Sequence, residues 1–367
     1  MSEDNVYVYA VGDVAPAWPD PESLVELALP TLKQADILFG NLEAPLSEKG
    51  QPQLYMYPSR GKTMSPDKVS ALTYAGFDIM SFANNHTLDR GEESFCETVD
   101  TLTRNNIAVV GAGRDIDEAR KPVVFERKGT KVAFLAYCSV LPRGYEAARD
   151  KCGCAPMRAS TYYEQVDWQP GTDPRIITLA NKDDLSAMVQ DIKKARSLAD
   201  VVVMSIHWGI HYVPAVIAMY QKEVAYAAID AGVDVIFGHH AHILKGIELY
   251  NGKAIFYSLC NFIMPWKKGH TSAARKRSKV TEDPEYPYYP YPVDSRKTII
   301  AKCTIADKRV ERVSFLPVLI NKQTQPEVMR RSDKGFEEVM NYMKEITESQ
   351  ELKVIYEVDG DEIVVHD

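Results

Sequence analysis

The sequence predicts an α/β protein built on a buried sheet, and three observations carry that expectation. Short β-branched apolar runs recur along the chain, stretches with helical spacing separate them, and many of the runs end on Asp, Asn, Glu or His. In such a sheet the carboxyl ends of the strands face one crevice, so residues scattered in sequence meet there.

Taken in order, the strand-like runs are 6–11, 37–40, 78–82, 109–111, 132–139, 201–206, 233–237 and 254–257. Each is short and predominantly apolar, the pattern of a strand buried on both faces. Between them, 21–34, 65–75, 92–105, 185–199 and 215–231 place apolar residues at helical spacing. From Ile299 the pattern becomes two alternating runs around a turn near Asp307, which predicts an antiparallel hairpin added to the sheet. A helix over 336–346 and a strand over 353–358 follow. Two long stretches interrupt the order. Residues 141–183 are rich in Gly, Pro, Arg and Tyr, and 266–295 hold a basic run (Lys267, Lys268, Arg275, Lys276, Arg277, Lys279) followed by a Pro-Tyr stretch. Both are expected to be irregular insert loops, used as lids or for binding. The expected organisation is one domain over 1–325 carrying these inserts, and a C-terminal extension over 326–367.

Composition narrows the function classes. With 43 Lys and Arg against 51 Asp and Glu the net charge is −8, which disfavours nucleic acid as a partner. No run reaches the roughly 18 apolar residues of a membrane helix, and the chain starts with polar residues, so neither anchor nor signal peptide is expected. The six cysteines are dispersed, as in a reduced, cytoplasmic protein. Cys152 and Cys154 are too closely spaced for the usual zinc knuckle. Oligomeric state is left open.

The chemistry lies in the strand ends. The first strand runs into Asp13, the second into Asn41 and Glu43, and the third into Asn84, Asn85 and His86; later strands reach His207 and His211, then His239, His240 and His242. Each signal has a bland reading alone: an aspartate can cap a helix, an Asn pair can make a turn, and a histidine pair can sit satisfied in a core. Together, two carboxylates, an amide oxygen and several imidazoles at the ends of successive strands predict a divalent metal centre. The mixed N and O set without thiolate suits Mn, Fe or Zn. His240 and His242 alternate around Ala241, so an extended backbone would point both rings to one side.

The motifs Gly12-Asp13, GNLE (40–43), GFDIMSFANNHTLDRG (76–91), VVGAG (109–113), HWG (207–209), GHHAH (238–242) and YSLCNF (257–262) resemble the CapA-type family. These proteins are associated with poly-γ-glutamate capsule synthesis and form a branch of the calcineurin-like metallophosphoesterases; the likeness spans about residues 6–320. It implies a four-layered α/β sandwich of the metallophosphoesterase type with a metal site on the strand-end rim. By position, Asp13, Glu43 and His242 would hold one metal, and Glu43, Asn85, His207 and His240 the other, with Glu43 bridging. His86 would serve as acid on the leaving group, oriented by Asp89. Four departures stand out. Val14 and Ala15 follow Asp13 where the wider pattern has D-x-H, so one ligand is missing and the expected content is one or two metals per chain. Glu43 replaces the usual bridging Asp, His211 stands where many members have Glu, and Ala241 replaces Pro. His211, His239, Asn41 and Arg158 are candidates for contacting substrate. The implied activity is a metal-dependent hydrolase, first of phosphoesters, with a small anionic or peptidic substrate. The alternatives are an enzyme acting on an amide bond and a non-catalytic assembly factor.

Overall fold

The computed structural model describes residues 4–52, 63–168, 171–266 and 283–367. Two sheets face each other. In the first, β1 (Val6–Val14), β2 (Ile37–Leu42), β3 (Ile79–Ser81) and β4 (Ala108–Val110) run parallel. A two-residue strand β5 (Ala112–Gly113) follows β4 and leads to β6 (Val123–Arg127) and β7 (Thr130–Cys138) of the second sheet. There β7 lies parallel to β11 (Val201–His207), then β12 (Val235–His239) and β14 (Lys253–Phe256), with β6 and β13 (Ile247–Tyr250) antiparallel at its edges. The short β8 (Gly153–Cys154) pairs with β5, and β15 (Asn261–Ile263) returns to lie parallel to β1.

Side-chain alternation along the strands builds the layers. Val6, Val8 and Ala10 of β1 point between the sheets, as do Val132, Phe134 and Ala136 of β7. Tyr7, Tyr9 and Val11 point the other way, toward Leu24 and toward three helices: α1 (Leu29–Leu32), α2 (Val69–Ala75) and α3 (Gly91–Arg104). On the far side, Ala133, Leu135 and Tyr137 meet α4 (Ile116–Ala119), α5 (Lys182–Arg196) and α6 (Met219–Ala231) through Ala119, Met188, Ile192, Val224 and Ala228. The result is helix, sheet, sheet, helix: the four-layered sandwich. Both faces of both sheets are covered, which is why the strands read as unbroken apolar runs.

The expected hairpin is present as β16 (Lys297–Ala306) and β17 (Arg309–Ile320), with β16 antiparallel to β1. Residues beyond it complete the same sheet. β18 (Pro326–Val328) and β20 (Glu362–His366) both pair with β17, and β19 (Ile355–Asp359) pairs with β20. The helix between them, α7 (Lys334–Glu348), places Phe336, Val339, Met343 and Ile346 in the core between the sheets. The stretch read as an extension therefore supplies part of the main core.

Three expectations are corrected. The spacing over 21–34 yields a 3-10 turn at Glu22–Leu24 and only the four-residue α1, because Pro30 has no N–H for a longer helical ladder. The helix expected from 215 starts at Met219; Pro214 lies upstream, and Tyr212 and Ala215 adopt φ of 55° and 50°. The insert 141–183 is not wholly irregular. β9 (Ala159–Glu164) and β10 (Arg175–Ala180) form an antiparallel hairpin in register Tyr163↔Ile176, packed along α6. The basic run from Lys267 to Lys279 lies outside the described residues.

Among the described residues no helix is long and apolar enough to cross a membrane. The six cysteines are free thiols.

If α7 is part of the main core, truncating its buried aromatic should destabilise the whole molecule. Phe336→Ala should lower the unfolding free energy by about 3–5 kcal/mol, read from the urea midpoint; an unchanged midpoint would show that α7 packs only as an appendage.

Candidate metal centre

The parallel strands of both sheets end on one rim, and β1, β2, β3, β11 and β12 each deliver polar side chains to it. Asp13 sits near the end of β1, where the ladder to β2 shifts register after Ala10, and its N–H donates to Cys260 O at 2.9 Å. Gly12 is required for that approach: a Cβ there would lie 2.0 Å from Cys260 O. Glu43 follows β2, with its N–H bonded to Val14 O at 2.9 Å. After β3 the chain turns tightly through Asn84, Asn85 and His86. Asn84 N–H donates to Thr87 Oγ1 (3.2 Å), and Asn84 Oδ1 accepts from His86 N–H (2.9 Å).

The two carboxylates are tied together. Asn41 Nδ2 donates to Asp13 Oδ1 at 2.9 Å and to Glu43 Oε2 at 2.7 Å, and Asn84 Nδ2 in turn donates to Asn41 Oδ1 at 3.2 Å. Asn41 is fully buried and serves as this clamp; it does not reach the surface that a substrate would touch.

Imidazoles close the cluster. His207 Nε2 lies 3.0 Å from Asn85 Oδ1 and 3.0 Å from His240 Nδ1, while its Nδ1 lies 3.7 Å from Glu43 Oε2. His242 Nδ1 lies 2.7 Å from Asn261 Oδ1, and its Nε2 is 3.9 Å from Glu43 Oε1. This is the arrangement of a metal-binding histidine: one ring N–H is donated to an acceptor that fixes tautomer and orientation, and the other nitrogen's lone pair is left for a cation. His240 and His242 do not alternate on an extended strand as expected. β12 ends at His239, and both residues adopt positive φ, 91° and 54°. Such left-handed backbone at a non-glycine costs about 1–3 kcal/mol and is held by the structure around it.

Burial sets the charge states. It opposes ionisation of Asp13, but the imidazoles of His239 and His242 outweigh it and hold the carboxyl well below the usual carboxylate range. His207 and His240 are pushed well below the ordinary histidine value by burial, reinforced at His240 by His211 and His207. The site thus offers an ionised carboxylate and neutral imidazoles, the forms that bind metal. Asp13, Glu43 and His207 present ligand atoms that all lie within 4.8 Å of one another. His207 Nδ1 has no hydrogen-bond partner among the described residues. The residues present therefore fit a divalent cation, with Asn85, His240 and His242 alongside.

At the open edge stands His86, whose side chain is 18% exposed against 2% for Glu43. Its Nδ1 is 2.7 Å from Asp89 Oδ2, and its Nε2 is 3.8 Å from Glu43 Oε1. Tyr145 OH donates to Asp89 Oδ1 at 3.0 Å, so the carboxylate that orients the imidazole is itself held. Half-buried His211 packs against His240 with ring centroids 3.8 Å apart and planes tilted by 35°. His239 is completely buried beneath Asp13 and cannot contact a substrate. Arg158 is not part of the cluster: its guanidinium forms a bidentate pair with Asp184 at the start of α5 (2.7 Å for both bonds) and ties the β9–β10 hairpin to that helix. Sequence reasoning missed Asn84 and Tyr145. Asn84 read as ordinary turn chemistry, and nothing in the irregular segment around Tyr145 marks it.

A four-layered sandwich with a buried carboxylate and imidazole cluster on its strand-end rim defines the class of protein to which this chain is similar. Residues 7–265 match the family described as bacterial capsule synthesis protein PGA_cap, and the chain belongs to that family. It is 28% identical over 260 residues to the PGA biosynthesis protein CapA of Bacillus subtilis, a match covering 69% of this chain and 60% of the relative. Against the capsule biosynthesis protein CapA of Bacillus anthracis the identity is 29% over 248 residues, covering 66% and 54%. The chain thus spans little more than half the length of these curated relatives. Among solved structures, the calcineurin-like phosphoesterase YfkN of Bacillus subtilis aligns over 95% of this chain and 98% of its own, with a TM-score of 0.46 at 12% identity.

Neutral buried histidines have a pH signature in the metal-free protein. The unfolded chain takes up protons at His207 and His240 near pH 6.5 and the folded chain does not, so below that pH the unfolded state binds more protons and stability falls. Urea unfolding in chelator should lose about 1–3 kcal/mol between roughly pH 7.5 and 5.5, and His240→Asn should shrink the loss. Equal stability at both pH values would mean that the rings are charged in the fold.

Proposed function

We propose that this chain is a metal-dependent hydrolase, acting in the simplest case on phosphoesters. The observation that carries the reading is the His86–Asp89 pair set against the buried Glu43. An oriented, partly exposed imidazole faces a cluster able to hold cations. Asp89 accepts the His86 Nδ1 proton, so Nε2 is the nitrogen turned toward the reacting group. When the ring carries both protons, Nε2–H can give a proton or a hydrogen bond to the leaving oxygen; with the single proton on Nδ1, Nε2 is an acceptor. Tyr145 holds Asp89, and Asp89 holds the ring, which removes rotational freedom before substrate arrives. Asp13, Glu43, Asn85, His207, His240 and His242 would hold one or two ions of Mn, Fe or Zn. Bound there, the ions would lower the pKa of water and offset negative charge on a phosphoryl group. Among the described residues of the cluster His86 and His211 are the partly exposed ones, so substrate would arrive from their edge.

A second reading keeps the same centre and changes the bond. The curated relatives are described as PGA and capsule biosynthesis proteins, which favours an amide in a glutamate polymer or peptide as substrate. On either reading the partner is a small anionic or peptidic molecule.

The test is turnover of phosphomonoesters, phosphodiesters and γ-glutamyl amides by the Mn-loaded protein. His86→Ala should cut kcat by about 10²–10⁴-fold with metal content unchanged, and His240→Ala should lose metal and turnover together. If both variants keep full activity, chemistry does not occur at this centre and a non-catalytic assembly role replaces the hydrolase.

A further inference from the structure

His239 lies against Asp13, but of the three histidines in the 238–242 segment it is the one not yet given a place in the metal centre. It is fully buried, and neither ring nitrogen makes a hydrogen bond to any described residue. Neutral imidazole carries one donor and one acceptor, and burying both unmet is a state that native structures rarely tolerate without a reason. The ring is not in an apolar niche remote from the site. Its Nδ1 lies 3.3 Å from Asp13 Oδ1, without the alignment of a hydrogen bond. That oxygen already accepts from Asn41 Nδ2 at 2.9 Å.

The spacing is informative. Two ligands at 2.0–2.2 Å from one tetrahedral cation stand about 3.4 Å apart. Asp13 has two imidazole nitrogens at this separation: His239 Nδ1 at 3.3 Å from Oδ1 and His242 Nδ1 at 3.3 Å from Oδ2. His242 Nδ1 is engaged with Asn261, which turns its other nitrogen to the cluster; His239 has no such engagement. On the chain side of Asp13, Val14 and Ala15 offer no donor side chain. Asp13, Glu43 and His242 therefore make three donors at that end of the cluster, one short of a filled tetrahedron. β12 brings His239 in from between the sheets, on the face that also carries the core residues Val235 and Phe237, so it approaches Asp13 from the fully buried side.

We propose that His239 is a ligand of the cation held at Asp13, approaching from inside the sandwich. This rests on the metal-centre reading above and adds to it the identity of a donor. Binding forms a nitrogen–metal bond from the neutral ring's lone pair while the other ring nitrogen keeps its proton, so neither a proton nor an electron is released.

The experiment is Mn and Zn binding to the whole protein, by elemental analysis after dialysis and by calorimetric titration, with circular dichroism to check the fold. His239→Ala and the volume-preserving His239→Phe should each hold one ion fewer than wild type, or bind the remaining one at least about tenfold more weakly. Full metal content and unchanged affinity in both variants would overturn the assignment of His239 while leaving the centre itself intact. Absence of binding by wild type would overturn the centre and the assignment together. Should neither variant fold, a crystal of the wild-type protein soaked in Mn decides: a His239 nitrogen within about 2.3 Å of the anomalous peak supports the proposal, and one farther than about 3 Å refutes it.

Discussion

Burying the carboxylates of Asp13 and Glu43 side by side is costly unless donors or cations face them, since an ion taken out of water loses several kcal/mol of hydration. The surrounding structure answers that requirement in layers. Asn41 bridges the two oxygens from below, Asn84 braces Asn41, and three imidazoles stand around the remaining faces. Four of these groups come from the first sheet and three from the second. The two sheets can meet at this rim only because the parallel strands of each end there, so sheet order and charge compensation depend on one another.

The same requirement explains the irregular backbone. His240, His242 and Cys260 all have positive φ, and the β1 ladder shifts register beside Asp13. Regular strands would send alternate side chains to opposite faces; the local departures turn them toward one point. Strain of this sort is sustained by the packed sandwich beneath it, including the C-terminal helix and strands that complete the core.

A division of labour follows along the rim. Deeply buried groups set geometry and charge, whereas His86 and His211 are the half-buried side chains that face outward. Tyr145 couples the first long insert to this edge through Asp89, so a segment outside the parallel strands takes part in orienting the exposed imidazole. Arg158, in the same insert, is used for anchoring: its charge is spent on Asp184 in a planar, two-bond pair.

Much of this was legible in the residues. Continuous apolar runs announced strands covered on both faces, and Asp, Glu, Asn and His at their ends announced a shared crevice, because strand direction alone dictates where those ends point. What the chain could not reveal is which polar groups touch. Asn41 and His239 resemble rim residues in sequence but are enclosed by the opposite sheet, and Tyr145 acquires its role only when a distant segment folds back over Asp89. The β9–β10 hairpin and the final strand have weak patterns of their own and exist through pairing with neighbours far away in the chain. The sequence by itself determined a buried sheet of strands alternating with helices, through local periodicity, and the chemical type of the site, through the residues at the strand ends; the four layers were implied by the family resemblance. Tertiary structure alone decided contacts, burial and tautomers, because those depend on what the other sheet brings to the same few ångströms.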